Sequence, residues 1–200
     1  MSSAPQKSRR EEYSEATRQA LLSAARTHFA AKGYHATGIE AVARAARVTR
    51  GALYHHFKDK KELFDAVVVG LQVEAAAAVA ERARQEKDRW AQLRAGISAY
   101  LDACLAPAFR RIVIEDAPAA LGTERCRDID HQYTLGPLTK ALEHFRADGE
   151  LDFEDTSLLS RILGAIIWEI AILLGDAKEP KKLRRRAEDA IARVLRAFAA

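Results

Sequence analysis

Little in this sequence interrupts a helix, and nothing in it builds a covalent scaffold. Two cysteines, five prolines and ten glycines are spread over 200 residues. Cys104 and Cys126 stand 22 positions apart in helix-like sequence. That is not the spacing of a zinc site or a redox pair, so two reduced, partly buried thiols are expected. Alternating β-branched runs are missing apart from the short segment 111–114, which argues against a sheet. No run approaches the ~18 uninterrupted apolar residues of a membrane span; the longest candidate, 162–174, carries Glu169. The polar, basic start over residues 1–10 has no apolar stretch of the secretory kind, so a cytoplasmic protein with no membrane partner is expected. A nucleophile elbow, a phosphate loop and a paired metal motif are all absent, which removes support for an enzyme.

Ala, Leu, Arg and Glu dominate instead. Hydrophobic residues make up 48% of the chain and charged ones 30%, enough for both a sizeable core and a solvated surface. A lone DNA-binding module needs about 60 residues and two full-sized domains need more than this chain offers. One small domain beside a larger one fits. The net charge of +4 is unevenly distributed: residues 1–65 hold twelve Lys and Arg against seven Asp and Glu, the rest twenty against twenty-one. A basic excess of this kind attracts phosphate backbones without sequence preference.

Apolar residues recur at helical spacing throughout, so the fold class is all-α. Ser14 is a good N-cap for a first helix that buries Leu21, Ala24, Ala25, His28 and Phe29 and ends at Gly33. Thr37 or Gly38 opens a second helix of about two turns, with Ile39, Val42, Ala43 and Ala46 inward, and Arg47 and Val48 turn the chain. Thr49 caps a short third helix with Leu53 and Phe57 inward. Asp59 begins a fourth, with Glu62 completing a capping box and Leu63, Phe64, Val67 and Leu71 continuing the stripe. The alanine-rich segment 75–80 links it to the larger half. There, helices are expected from Arg89 to Cys104, from Phe109 to Glu115, from Arg125 to Asp148 with a kink near Gly136 and Pro137, from Asp155 to Leu174 and from Pro180 to Ala199. Pro107 and the run Asp116, Ala117, Pro118 read as breaks.

Helices two and three, joined by a three-residue turn and braced by helix one, have the spacing of a helix-turn-helix. Helix three sharpens this reading. Thr49, Arg50, Gly51, Ala52, Tyr54 and His55 leave it few apolar positions to bury. Small residues at Gly51 and Ala52 let its backbone approach base edges, Arg50 can reach guanine O6 and N7, and Tyr54 can donate to a phosphate. Lys60, beside the free N–H groups that open helix four, can hold another phosphate.

The run from Thr37 to Phe57, TGIEAVARAARVTRGALYHHF, followed by KDKKELF to Phe64, resembles the tetracycline-repressor (TetR) family over roughly residues 14–71. The resemblance implies phosphate contacts at Thr37, Tyr54 and Lys60 and base contacts near Thr49 to Ala52 and at His55. This sequence departs from the family pattern at Arg47, where Gly is usual, and at Gly38, where Ser or Thr is common. A left-handed Arg47 would be strained by about 1 kcal/mol, which a phosphate contact by its guanidinium would recover. The resemblance also implies an effector pocket and a dimer interface in the larger half, with helix four as a lever between pocket and DNA.

Tyr100, Cys104, Phe109, Tyr133 and Trp168 are the residues expected to line such a pocket, although aromatics at helical spacing, Trp90 and Phe145 included, also serve as plain core. His55 and His56 are neighbours on a helix with no third ligand nearby, so DNA contact or packing is expected and metal is not. Asp128 and His131 lack the second copy a di-metal site needs and read as a solvated face. The basic run 181–186 opens a helix with its own apolar stripe and reads as the solvated side of an interface helix. Glu169 pairs across a dimer, binds a ligand or faces water. The basic arm, about residues 1–13 with Lys7, Arg9 and Arg10, is expected to be disordered without DNA.

Together these readings give a DNA-binding domain over 1–74 and a ligand-binding and dimerisation domain over 75–200. The expected protein is a transcriptional repressor. It binds a palindromic operator in double-stranded DNA as a homodimer formed through its last two long helices, and it answers to a small-molecule effector without needing a cofactor. An architectural DNA binder is the rival reading.

Overall fold

A computed structural model describes residues 8–200. Among the described residues eleven α-helices and two π-helical turns follow one another: α1 (Arg9–Ala36), α2 (Ile39–Ala45), α3 (Arg50–His56), α4 (Lys60–Arg84), α5 (Arg89–Leu105), α6 (Pro107–Phe109), π1 (Arg110–Asp116), α7 (Ala117–Leu121), α8 (Thr123–Asp130), π2 (His131–Leu135), α9 (Gly136–Ala147), α10 (Thr156–Asp176) and α11 (Pro180–Arg196). Among the described residues there is no strand, only an isolated antiparallel bridge between Leu151 and Ala199.

Local chemistry sets most helix starts. Thr49, Asp59, Asp88 and Asp155 each accept a hydrogen bond from the backbone N–H three residues on, satisfying one donor that a helix start leaves free. The first helix begins earlier than Ser14, because Ser8 and Glu11 form a reciprocal capping box ahead of it. Arg9 and Arg10 are therefore helical rather than part of a disordered arm, and Lys7 lies outside the described residues. At Asp59 the expected box is half made: Asp59 accepts from Glu62 N–H at 2.8 Å, but the Glu62 carboxylate accepts from Lys58 N–H at 2.7 Å. Gly33, at φ 77°, breaks α1, and a last turn carries the chain to Ala36. A Cβ at Gly33 would displace the movable Arg111 guanidinium, but it is the positive φ that calls for glycine there.

The expected break at Asp116–Pro118 does not occur. Ala117 donates instead to the Ile112 carbonyl, five residues back, and Pro118, which has no N–H to place, follows this widened turn at the start of α7. The same device recurs at the second proline. Gly136 donates to His131 O, again five back, and a Cβ at Gly136 would lie 2.6 Å from that oxygen. Pro137 follows this widened turn at the start of α9.

One apolar core runs from Leu21 to Leu195. In its N-terminal part Leu21, Ala25 and Phe29 of α1, Val42 of α2, Leu53 of α3 and Leu63, Phe64 and Val67 of α4 close on one another, with Phe29 and Phe64 edge to face at 4.9 Å. Helix α4 crosses the 74/75 position unbroken, so residues 75–80 are a wall of the larger half rather than a linker. By length and composition alone, α4 and α10 match membrane-crossing helices. Here α4 packs on α1 and α5, and α10 packs on α5, α9 and α11, so one face of each serves the core.

Candidate nucleic-acid interface and effector cavity

Leu53 and Phe57 are buried and pin α3 to the core, which turns the rest of this short helix outward. Arg50, Gly51, Tyr54 and His55 are exposed, and Ala52 is half-buried beside them. A side chain added at Gly51 would meet nothing closer than Thr49 Oγ1 at 3.9 Å, so the surface there is open. Thr49 Oγ1 accepts from Ala52 N–H at 3.1 Å and squares the start of the helix. The Arg50 guanidinium lies 5.5 Å over the Tyr54 ring and pairs with Glu40 of α2 at 2.8 Å. Both partners of that pair are mostly exposed, so it is weak and easily exchanged for another anion. His56 is half-buried against Phe57, and its pKa is lowered first by burial and then by His55 and Arg18. It belongs to the packed flank of the helix.

Arg47 is the one non-glycine residue with positive φ among the described residues, at 56°, and its side chain is exposed beside α3. Two expected phosphate ligands are engaged elsewhere. Thr37 is only 2% exposed, and its hydroxyl donates to the carbonyls of Gly33 at 2.8 Å and His28 at 3.2 Å. Its side chain closes the end of α1, while Gly38, the α2 N-cap one residue on, has no side-chain cap and accepts from Ala41 and Val42 N–H through its carbonyl alone. Lys60 Nζ donates to the carbonyls of Tyr34 at 2.9 Å, Thr37 at 3.0 Å and His35 at 3.3 Å, and sits 4.4 Å over the Tyr34 ring. All three of its donors are used on the C-terminal end of α1, where a cation is favoured. Arg44, Lys58 and Lys61, which the motif reading passed over, are exposed next to α3 and at the start of α4.

A cavity of about 460 Å³ opens at the surface between α5 and α11. A second, of about 390 Å³, lies between α4, α5, π2 and α9. It exists because small residues face it: Ala76, Ala80 and Ala83 on α4 and Gly96 on α5. Tyr100 and Tyr133 line it. Trp168 lines an adjoining cavity of about 280 Å³ that shares Tyr100, Thr134, Leu138 and Ile167 with it. Cys104 and Phe109 line neither cavity. They are 1% and 2% exposed, core residues behind Tyr100, whose ring is 6.1 Å from that of Phe109.

A buried polar cluster that the sequence reading missed stands where the two cavities meet. Gln72, in the buried stripe of α4, donates to Asp130 Oδ1 at 3.2 Å. The Tyr100 hydroxyl lies beside Thr134 and Gln72, and burial pushes its pKa well above the usual phenol range. Burial also raises Asp130 to about 6 and the Cys104 thiol to about 12, the latter helped by the nearby Asp130 charge. Gln72 Oε1 and Thr134 Oγ1 make no well-formed hydrogen bond among the described residues. The clearest signal in the sequence was Gln72 itself, a polar residue at helical spacing from Val68 and Ala75.

Helix α8 grips α4 at a second point, where Arg125 pairs in bidentate fashion with Asp65 at 2.7 and 2.8 Å. Asp116 accepts from Tyr34 N–H at 2.7 Å, tying the end of α1 to π1. On the outer face of α10, Leu158, Ile162, Ile172 and Leu173 are exposed, with Glu169 among them. Asp128 and His131 are exposed, and no group of metal-binding side chains occurs among the described residues.

Comparison with known proteins agrees with both halves. Residues 21–67 match the family described as bacterial regulatory proteins, tetR family, and residues 90–198 match the tetracyclin repressor-like C-terminal domain. The transposon Tn10 TetC protein of Escherichia coli is 28% identical over 173 residues, covering 86% of this chain and 87% of that one. A TetR-family transcriptional regulator from Pectobacterium atrosepticum superposes with a TM-score of 0.80 at 29% identity, covering 97% of this chain and 98% of its own. RolR, solved in complex with resorcinol, shares the fold with a TM-score of 0.71 at 17% identity, covering 92% and 90%. The chain belongs to the tetracycline-repressor (TetR) family of helix-turn-helix transcriptional regulators.

Proposed function

We propose that this regulator represses transcription by binding a palindromic operator as a homodimer and leaves it when a small molecule fills the cavity under α4. The observation that carries the DNA half is the outward polar face of α3, held rigidly over buried Leu53 and Phe57. Arg50 reads a guanine after exchanging Glu40 for the base edge, while Thr49, Gly51, Ala52 and His55 lie against neighbouring bases. Tyr54 and Arg47 hold phosphates, and the free N–H groups at the start of α4 hold another. The side chains of Thr37 and Lys60 are assigned to the fold instead. Residues 1–74 form the DNA-binding domain and residues 75–200 the effector and dimer domain, with α4 common to both. Work on DNA places the protein in the cytoplasm.

One short helix reads few base pairs, and two copies about 34–36 Å apart read a palindrome. The apolar stripe of Leu158, Ile162, Ile172 and Leu173 on α10 supports a second copy seated there, since apolar patches of this kind mark contacts. Basic residues of α11 stay at its rim, and Glu169 sits within the stripe. For the effector half, RolR holds resorcinol on the same fold, and the apolar cavity here abuts α4. Because α8 holds α4 through Asp65 and Gln72, a ligand that moves π2 moves α4 and with it the spacing of the two α3 helices.

Footprinting against unlabelled competitor DNA tests this reading. It requires a single protected inverted repeat that survives competition. Uniform protection that competitor removes would mark an architectural binder.

A further inference from the structure

The larger half grips the DNA-binding half through α4 and again at a place off the α4 axis, the end of α1. Along its length α4 is fastened to α8 by Arg125 on Asp65 and by Gln72 on Asp130. One helix held in this way still leaves the domain at its far end free to swing or twist about a single joint. At the end of α1, Tyr34 N–H, the first after the break at Gly33, donates to Asp116 Oδ2 at 2.7 Å. The Asp116 side chain is 14% exposed, so this charge-assisted bond is sheltered from water, and Arg111 Nε lies 3.5 Å from the same oxygen. The Tyr34 carbonyl accepts from Lys60 at 2.9 Å. One residue of α1 is therefore held by the larger half through its N–H and by the start of α4 through its carbonyl. Asp116 closes π1, and Arg110 opens it. Arg110 donates to the Gly175 carbonyl and, at 2.7 Å, to Asp176 Oδ1, at the C-terminal end of α10, where a cation is favoured. Its Nε is held at 3.1 Å by Glu115. The helix that carries the exposed apolar stripe is thus joined, through the seven residues of π1, to the helix that braces α2.

We propose that π1 is a strut that sets the angle of each DNA-binding domain to the dimer frame, with Asp116 and Arg110 as positioning residues that fix which half-site spacing the protein accepts. The proposal rests on the reading of the chain as a dimer, joined through α10, on a palindromic operator. The apolar packing of α1 on α6 and π1 is non-directional and permits sliding, whereas a hydrogen bond of fixed direction does not. With either end of the strut removed, α4 alone sets the angle, and each α3 reaches a wider range of positions along the groove.

Affinities of the full-length protein for three duplexes test the proposal. One is an operator recovered by selection; the others have one base pair added or removed at its centre, which shifts the half-sites by about 3.4 Å and about a tenth of a turn. The parent should bind both altered duplexes about tenfold more weakly than the operator, or worse. Asp116→Ala and Arg110→Ala should lose less than about threefold on the same change. Asp116→Asn keeps an acceptor for Tyr34 N–H and should discriminate as the parent does. A role in stability alone would lower the melting temperature and leave that ratio untouched. Arg110→Ala carries the test should Asp116→Ala not fold. Parental discrimination in either Ala variant when folded and dimeric, or failure of both to fold, would overturn the strut and leave the dimer reading standing. A parent indifferent to spacing, or selection that recovers no inverted repeat, would overturn the dimer reading and the proposal with it.

Discussion

Arg47 occupies a backbone conformation, φ 56°, that glycine adopts freely and arginine does not. The cost of about 1 kcal/mol is tolerated in a turn that faces outward beside α3. Arg47→Gly should therefore raise unfolding stability by up to about 1 kcal/mol in urea melts. It should also reduce the salt dependence of operator binding by about one phosphate contact; unchanged salt dependence would remove Arg47 from the interface. Lys60 behaves in the opposite way. Its ammonium closes three carbonyls at the end of α1, so Lys60→Met should destabilise the fold by about 1–3 kcal/mol. A variant of full stability that merely binds DNA less well would restore the phosphate role. Asp130 adds a pH test. Burial holds its pKa near 6 in the folded chain, above its usual 3.8, so protonation favours the folded state. That stabilisation is full below about pH 4 and is lost as pH rises through 6. Asp130→Asn should match the parent at about pH 4 and exceed it by on the order of 2 kcal/mol above about pH 7. A pH-independent gain would contradict this.

At the scale of elements, the starts of α3, α4 and α10 are where the sequence placed them, because caps and apolar stripes are local, whereas α1 begins at Arg9 rather than near Ser14 and the single helix expected from Arg125 to Asp148 is α8, π2 and α9. Thr49, Asp59 and Asp155 are visible as N-caps, and Leu53 and Phe57 as the buried pair of α3, without knowledge of the rest of the chain. Two kinds of feature were not legible. One is the π turn: Pro118 reads as a break and Pro137 as a kink, and only the five-back bonds at Ala117 and Gly136 show how the chain passes both. The other is any contact distant in sequence. Nothing local distinguishes a lysine that binds phosphate from one that caps a helix 23 to 26 residues away, as Lys60 does. The cavity follows the same rule. Tyr100 and Tyr133 were anticipated by type, but Thr134, Asp130 and Gln72 come together only when α4, α5, α8 and π2 pack. Cys104 and Phe109 carried the same aromatic or apolar signal and are core.

For the molecule as a whole, recognition and assembly are one problem. The exposed residues of α10 contribute little to the fold of one chain, with Leu173 50% and Ile162 43% exposed. The double variant Ile162→Arg, Leu173→Arg should therefore keep its helicity and melt cooperatively, yet sediment as a monomer. Operator affinity should fall by more than a hundredfold, since a palindrome read once loses most of its contacts. A dimer of undiminished strength would move the interface elsewhere.

The central claim is that the polar face of α3 reads base pairs from the major groove, once per protomer. Selection of bound duplexes from random DNA, followed by affinity measurements on every single-base variant of the winner with the parent and with Arg50→Ala, tests it most directly. The account requires an inverted repeat with half-sites one helical turn apart or a multiple of it, and a loss of preference in Arg50→Ala confined to one symmetry-related base pair. Selected duplexes without a repeat, or a variant weakened equally on all of them, would contradict it.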